Sequence, residues 1–498
     1  MIAAASETGP PSHDDPGLTA GLRELLLASG FTGEGVRAAL GTLGETLTRS
    51  ADVPVQIRRL EDNEPIGSLI KLFVLDTAVP AEAARRALAP LSFERLEQAG
   101  LLACVDGEVL ALVRIVPHDE LLIASDRHAP AGETARADHV AGVHHPSLTL
   151  SRLTVRRPVE TALDVGTGCG IQAILTARHS ERVVATDVNA RALGFAAFNA
   201  RLNGAENVEL RAGSFFEPVR GSRFGLVLCN PPYVISPESE FLFRDSGMSG
   251  DTVSREVVRQ VPDALEEGAF GQTLVSWVVE PEGDWSAPLR SWIEGSGCDA
   301  WLLHHGSDDP IAHTAKWLRH EAGTDLDAYA TAAERWLAYF DRLGIEQIAV
   351  GAVILRRRGG TNWVRADELP SDRLRPAGDH ILRVFAGNDL LAGLPEPGCL
   401  LDERLVLAGQ ATLEQNAVYR DREWRVEEIS LALQDGLGFR ASVDPIVAAM
   451  LTLLDGQRTL ADVAAELARS EGTSPEAVAQ ALLTVAGEML GAGFLAPA

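Results

Sequence analysis

The chain has 498 residues with a formal net charge of −26, 44 basic side chains against 70 acidic ones, and 46% hydrophobic residues. That length allows roughly three domains of about 150 residues each, and the acidity disfavours the nonspecific attraction to a phosphate backbone that basic surfaces supply, although a local basic patch would override it. No apolar run approaches the roughly 20 residues a membrane helix needs, so no membrane association is expected, and Cys104, Cys169, Cys229, Cys298 and Cys399 lie far apart without zinc or disulfide spacing, as suits a reducing cytoplasm.

Residues 1–16 have neither a basic start nor a long apolar core and are expected to form a disordered leader, not a secretory signal. From 17 to about 140, helical spacing in Gly17–Gly30 is followed by a helix ending at Gly100 and two apolar runs joined by Asp106-Gly107, a hairpin signal. Helices followed by a hairpin suggest a winged-helix-like unit, with any small α+β module as the alternative. Residues 141–365 alternate apolar runs with helical stretches, which argues for a parallel sheet covered on both faces. Seven strands are expected: Glu160–Val165, Arg182–Asp187, Asn207–Arg211, Phe224–Cys229, Thr273–Val279, Asp299–His304 and Glu346–Leu355. A helical insertion, about 307–343, separates the last two. His304, His305, His313 and His320 lack the paired carboxylate or cysteine spacing of a metal site, so none is expected. Residues 366–498 end in a second winged-helix-like pattern, with one helix starting after Thr459 and another after Ser474, a cap ahead of Pro475.

Three short stretches carry chemistry. The first strand ends at Asp164 and runs into Gly166, Thr167, Gly168 and Gly170, glycines spaced to let a backbone turn sharply and approach a ligand. At the end of the second strand stands Asp187, either a carboxylate for ribose hydroxyls or a cap for the next helix. The fourth strand stops at Asn230-Pro231-Pro232-Tyr233. A lone Pro-Pro is a rigid strand exit; here it would also fix an amide and a phenol ring at a ligand-binding sheet edge. All three stretches lie at carboxyl ends of strands, facing the crevice where open α/β sheets bind ligands.

In this combination the chain resembles the class I S-adenosylmethionine-dependent methyltransferases, in particular the small-domain group that includes the HemK-type glutamine methyltransferases, over about Leu148 to Val279. The resemblance implies a seven-stranded doubly wound, Rossmann-like sheet and S-adenosylmethionine as cofactor. Asp164, Gly166, Thr167, Gly168 and Gly170 would surround its methionine part, Asp187 would hold the ribose, and Asn230, Pro231, Pro232 and Tyr233 would receive a planar NH2 acceptor, with Asn230 at the methyl end of the cofactor. One position departs from the family: where an acid usually reads the adenine amine, this chain has Ser214, followed by Phe215, so a hydroxyl or the adjacent backbone would take that role. Phe243–Gln260 resembles the loop and helix that close over substrate in this group, a flexible turn being the alternative. A protein or peptide amide is the favoured acceptor, with an exocyclic amine of rRNA or tRNA as the alternative. The terminal modules would set the acceptor.

Overall fold

The computed structural model describes residues 9–41, 52–60, 65–128, 136–238, 248–319, 326–370, 374–409 and 411–498. Residues 1–8 of the expected leader, residues 243–247 of the expected closing loop and His320 lie outside them. The chain divides into two compact units, residues 1–150 with 158–367, and residues 151–157 with 368–498.

The first unit is built on an eight-stranded sheet. Its strands are β1 (Val159–Val165), β2 (Ser180–Asp187), β3 (Val208–Ala212), β4 (Phe224–Cys229), β5 (Leu265–Val279), β6 (Cys298–Asp308), β7 (Gln347–Arg357) and β8 (Val364–Glu368), in the spatial order β8-β6-β7-β5-β4-β1-β2-β3. Neighbours from β5 to β3 run parallel, and β7 enters antiparallel between β5 and β6. All seven expected strands are present. The eighth, β8, was not expected, because its alternation of Val364 and Ala366 with Arg365, Asp367 and Glu368 belongs to a half-exposed edge and lacks the apolar run of an inner strand. By contrast, every residue of β4 is buried, as a parallel strand covered on both faces requires.

Helix α1 (Ile171–Ala177) follows β1, and α2 (Ala190–Leu202) follows β2. The expected insertion forms α3 (Pro310–Leu318) and α4 (Leu326–Leu343). Trp277, Trp301 and Trp336 are among the largest fully buried side chains, so the tryptophan-rich stretch serves packing.

Among the described residues, six helices come first, then two hairpins, and the helix His145–Leu153 leads into the sheet. The Asp106-Gly107 turn has both residues at positive φ, 53° and 86°, and pairs Val105 with Glu108, as a two-residue hairpin turn demands. These residues do not form a separate core. Leu22, Leu26, Phe31, Phe73, Leu96 and Ile123 belong to one apolar cluster with Ile171 and Ile174 of α1 and Phe195 and Phe198 of α2.

Two amides of α2 finish this contact. Asn199 accepts from Ala124 N at 2.7 Å and donates to Ala124 O at 2.8 Å; Asn203 accepts from Leu122 N at 3.0 Å and donates to Leu122 O at 2.8 Å. Four helical residues rise about 6 Å and two strand residues about 6.8 Å, so side chains four apart on α2 meet alternate residues of the strand Leu121–Ser125. The helix thus pairs a strand edge that has no further strand beside it among the described residues.

In the second unit, helices Leu460–Glu471 and Pro475–Gly491 start where the sequence places them. Thr459 and Asp462 form a reciprocal capping box, and Ser474 caps the second helix by accepting from Ala477 N. They pack on a three-stranded sheet of Arg404–Leu407, Asp455–Thr459 and Leu495–Pro497.

Candidate active site

The strand order reverses between β1 and β4, and a cavity lies at the carboxyl ends of the strands there. Asp164, Gly166, Thr167, Gly168, Asp187, Ser214, Phe215, Asn230 and Pro232 all line it. Three residues expected at the site do not. Gly170 stands behind the glycine turn, where an added Cβ would meet Ala196 Cα at 3.1 Å; it lets α1 pack closely on α2. Pro231 is buried at the strand exit, and Tyr233 is tied through its backbone, its carbonyl accepting from Ser276 Oγ–H.

The glycine turn needs its glycines. Gly166, Gly168 and Gly170 have φ of 71°, 54° and 86°, in the left-handed region that a side chain disfavours. Gly166 N and Thr167 N both donate to Thr186 O at 2.9 Å, which fastens the turn to β2. Asp164 is 2% exposed; its Oδ2 accepts from Thr167 Oγ1–H at 2.6 Å and from Ala173 N at 3.1 Å. Burial nevertheless dominates and pushes its carboxyl up to about 7.

Asp187 accepts from Gly168 N at 2.9 Å and Asn189 N at 2.8 Å. Burial raises its pKa against these bonds. The cap of α2 is Asn189, whose side chain accepts from Arg191 N, so Asp187 is left to face the cavity. Beside it Val188 is 63% exposed within the cavity wall, an apolar surface that a flat ring would cover. Ser214 is exposed on the same wall, next to Phe215 at a positive φ of 44°.

Asn230 Oδ1 and Gln172 Oε1, two buried amide oxygens at the cavity, have no hydrogen-bond partner among the described residues. Gln172 Nε2 donates to Ser147 O at 2.6 Å, which fixes the oxygen's direction. A buried acceptor left unpaired costs about 1–3 kcal/mol, so each of these oxygens calls for an N–H or O–H donor.

One wall was missed in the sequence. Residues 139–142, His144 and Ser147 line the cavity, and His144 Nδ1 accepts from both Ser147 N and Ser147 Oγ–H. This wall is anchored to α2. Asp126 Oδ2 accepts from Val140 N at 2.8 Å and from Arg191 Nε at 2.9 Å, and Asn189 Nδ2 donates to Asp138 O at 2.9 Å. No short motif marks such a wall, because its anchors are spread over 65 positions of chain. Gln172 did carry a signal: with Thr176 it is one of two polar residues in the otherwise apolar α1, and both are buried.

Among the described residues no group of His, Cys, Asp and Glu could hold a metal ion, and no helix is long and apolar enough to cross a membrane.

Residues 146–268 match the methyltransferase small domain, while residues 28–112 and 385–497 match two domains of unknown function, DUF7059 and DUF7782. The chain is 32% identical over 147 residues to the release factor glutamine methyltransferase of Xylella fastidiosa (strain 9a5c), covering 27% of this chain and 51% of that protein. It is 36% identical over 167 residues to the release factor glutamine methyltransferase of Yersinia pestis, covering 30% and 56%. A ribosomal protein uL3 glutamine methyltransferase of Bradyrhizobium diazoefficiens is 38% identical over 120 residues, covering 22% and 38%. The chain therefore spans about half the length, or less, of these relatives. With the glycine turn, the two acids and the proline exit gathered at one switch point of the sheet, residues 146–268 carry the features of a methyltransferase small domain and are similar to the matching part of the release factor glutamine methyltransferases.

Proposed function

We propose that the chain transfers the methyl group of S-adenosylmethionine to the NH2 nitrogen of a side-chain amide in a protein, of the glutamine type, in the cytoplasm. The observation that carries this reading is Asn230 Oδ1, a buried acceptor at the cavity with no partner among the described residues. A planar NH2 group offers the donor it lacks, and the relatives named for glutamine in release factors and in ribosomal protein uL3 support an amide over other acceptors. The net charge of −26 favours a polypeptide over RNA.

The residues present fit the cofactor. Gln172 Oε1 and Asp164 would take the ammonium of its methionine part, Asp187 the ribose hydroxyls, Val188 the adenine face, and Ser214 with the Phe215 backbone the adenine edge, around the turn of Gly166, Thr167 and Gly168. When bound, the cofactor supplies an electrophilic methyl on a sulfonium. The chain's own part is orientation. An amide lone pair is delocalised and nucleophilic only when aimed, so Asn230 Oδ1, which lines the cavity where Pro231 and Tyr233 do not, would accept an N–H bond of the acceptor. The prolines keep that oxygen in place. The methylated nitrogen would give its proton to solvent, so no strong base is required of the chain.

The test is incubation of the full chain with methyl-labelled S-adenosylmethionine and lysate polypeptide or RNA, followed by mass spectrometry of the labelled product. Label on a glutamine-type amide is the expected result; label on an RNA base overturns the acceptor reading. On the labelled acceptor, Asn230→Ala should slow single-turnover transfer about 100-fold. Asn230→Asp should slow it less, since a carboxylate keeps an accepting oxygen in nearly the same place.

A further inference from the structure

The three matched stretches leave residues 269–384 uncovered, and α3 and α4 lie inside that gap. Their inward face ends on the backbone that leaves the proline exit. His313 of α3 is 1% exposed and donates its Nε2–H to Ile235 O at 3.1 Å. Val234 and Ile235 sit in one apolar cluster with Leu318 of α3 and with Trp336, Tyr339 and Phe340 of α4. Three residues on, Glu238 accepts from Trp336 Nε1 at 2.8 Å and pairs with Arg335. From the sheet side, Ser276 Oγ donates to Tyr233 O. The carbonyls of Tyr233 and Ile235 are thus held by two side chains from different elements, a short distance along the chain from the unpartnered Asn230 oxygen.

Such an arrangement exceeds what a strand exit needs. Pro231 and Pro232 stiffen the chain up to Tyr233, but nothing in their own geometry sets the position of the residues beyond. A carbonyl anchored to a buried imidazole does. Burial holds His313 down to about 4, so at neutral pH the ring is uncharged and its one N–H is the one directed at Ile235.

We propose that α3 and α4 are a brace for the acceptor motif, and that His313 is a positioning residue which, through Ile235 O, fixes the Asn230 amide for the methyl acceptor. This rests on the reading of Asn230 as the group that orients the nucleophile. A shift of about 1 Å in a positioning group can cost about 100-fold in rate. The brace would therefore act on transfer and on acceptor selectivity without touching the cofactor.

Two buried free thiols make the brace measurable without any acceptor. Cys229 is bonded to Asn230 at the end of β4, while Cys169 lies in the glycine turn. Iodoacetamide labelling of the full chain, read by mass spectrometry, should run about tenfold faster at Cys229 in His313→Leu than in the parent, with Cys169 within about twofold. His313→Gln keeps an N–H donor at similar reach and should restore the parental pattern. In single-turnover transfer to labelled lysate polypeptide, His313→Leu should be slowed at least about tenfold and His313→Gln within about threefold of parent, with S-adenosylmethionine affinity unchanged in both. Equal acceleration at both cysteines, or at neither, overturns the brace. If Asn230→Ala transfers at the parental rate while His313→Leu still exposes Cys229, the brace stands as a structural device and the acceptor reading falls.

Discussion

Asp164 has two hydrogen bonds that favour its charged form and still titrates near 7, because water is excluded from it. The sign of this shift sets a pH dependence. Its folded pKa lies above the ordinary 3.8, so the folded state holds a proton that the unfolded chain has released. The stabilisation is complete below about 3.8 and is lost as pH rises through about 7. A cation brought into the cavity reverses the shift, since a nearby positive charge favours the carboxylate. Binding of S-adenosylmethionine near pH 7 should therefore release a proton from Asp164. Calorimetry in two buffers of different ionisation enthalpy should give different apparent enthalpies for the parent and equal ones for Asp164→Asn; equal enthalpies for the parent would refute it.

Among elements, α2 does more than cover the sheet. Asn199 is fully buried and serves three backbone groups, Ala124 N, Ala124 O and, at 2.8 Å, Cys169 O in the glycine turn. Asn199→Ala would strand all three in a dry core at about 1–3 kcal/mol for each unpaired group, partly relieved by relaxation. We expect a loss of about 3 kcal/mol in urea unfolding, against about 1 kcal/mol for the half-exposed Asn203→Ala, because water can replace the second amide and not the first. A smaller loss for Asn199→Ala than for Asn203→Ala would contradict the ladder. The pattern was there to be read: in α2 the apolar positions Phe195, Phe198 and Leu202 recur at helical spacing, and Asn199 stands on the same stripe. A polar residue on an apolar stripe signals a buried partner, but the partner lies 75 positions away and no local rule names it.

At the scale of the molecule, the legible parts were those that local chemistry sets. Strand runs, the Asp106-Gly107 turn, the Thr459 and Ser474 caps and the three motif stretches each depend on residues within a few positions of one another. What escaped was assembled across distance: the wall from 139 to 147, the brace of α3 and α4, and the placing of residues 17–140, whose helices share a core with α1 and α2. That shared core changes what truncation does. Removing residues 1–139 would uncover Phe195, Phe198, Ile171 and Ile174 and remove Asp126, the anchor of one cavity wall. A chain starting at residue 140 should expose apolar surface, unfold at lower urea and lose S-adenosylmethionine binding in calorimetry; cofactor affinity within a few-fold of the full chain would show that the N-terminal residues are dispensable to the site.

The paired amides of α2 also bear on the exchange of segments between proteins. A helix that turns Asn199 and Asn203 toward a strand edge gains nothing from them unless that strand arrives with its own N–H and C=O groups in step, and among the described residues no other strand pairs Leu121–Ser125 on that side. Each half of the ladder is a defect without the other. An exchange of either segment for an unrelated one would leave four backbone groups without these partners on one side, or two amides on the other.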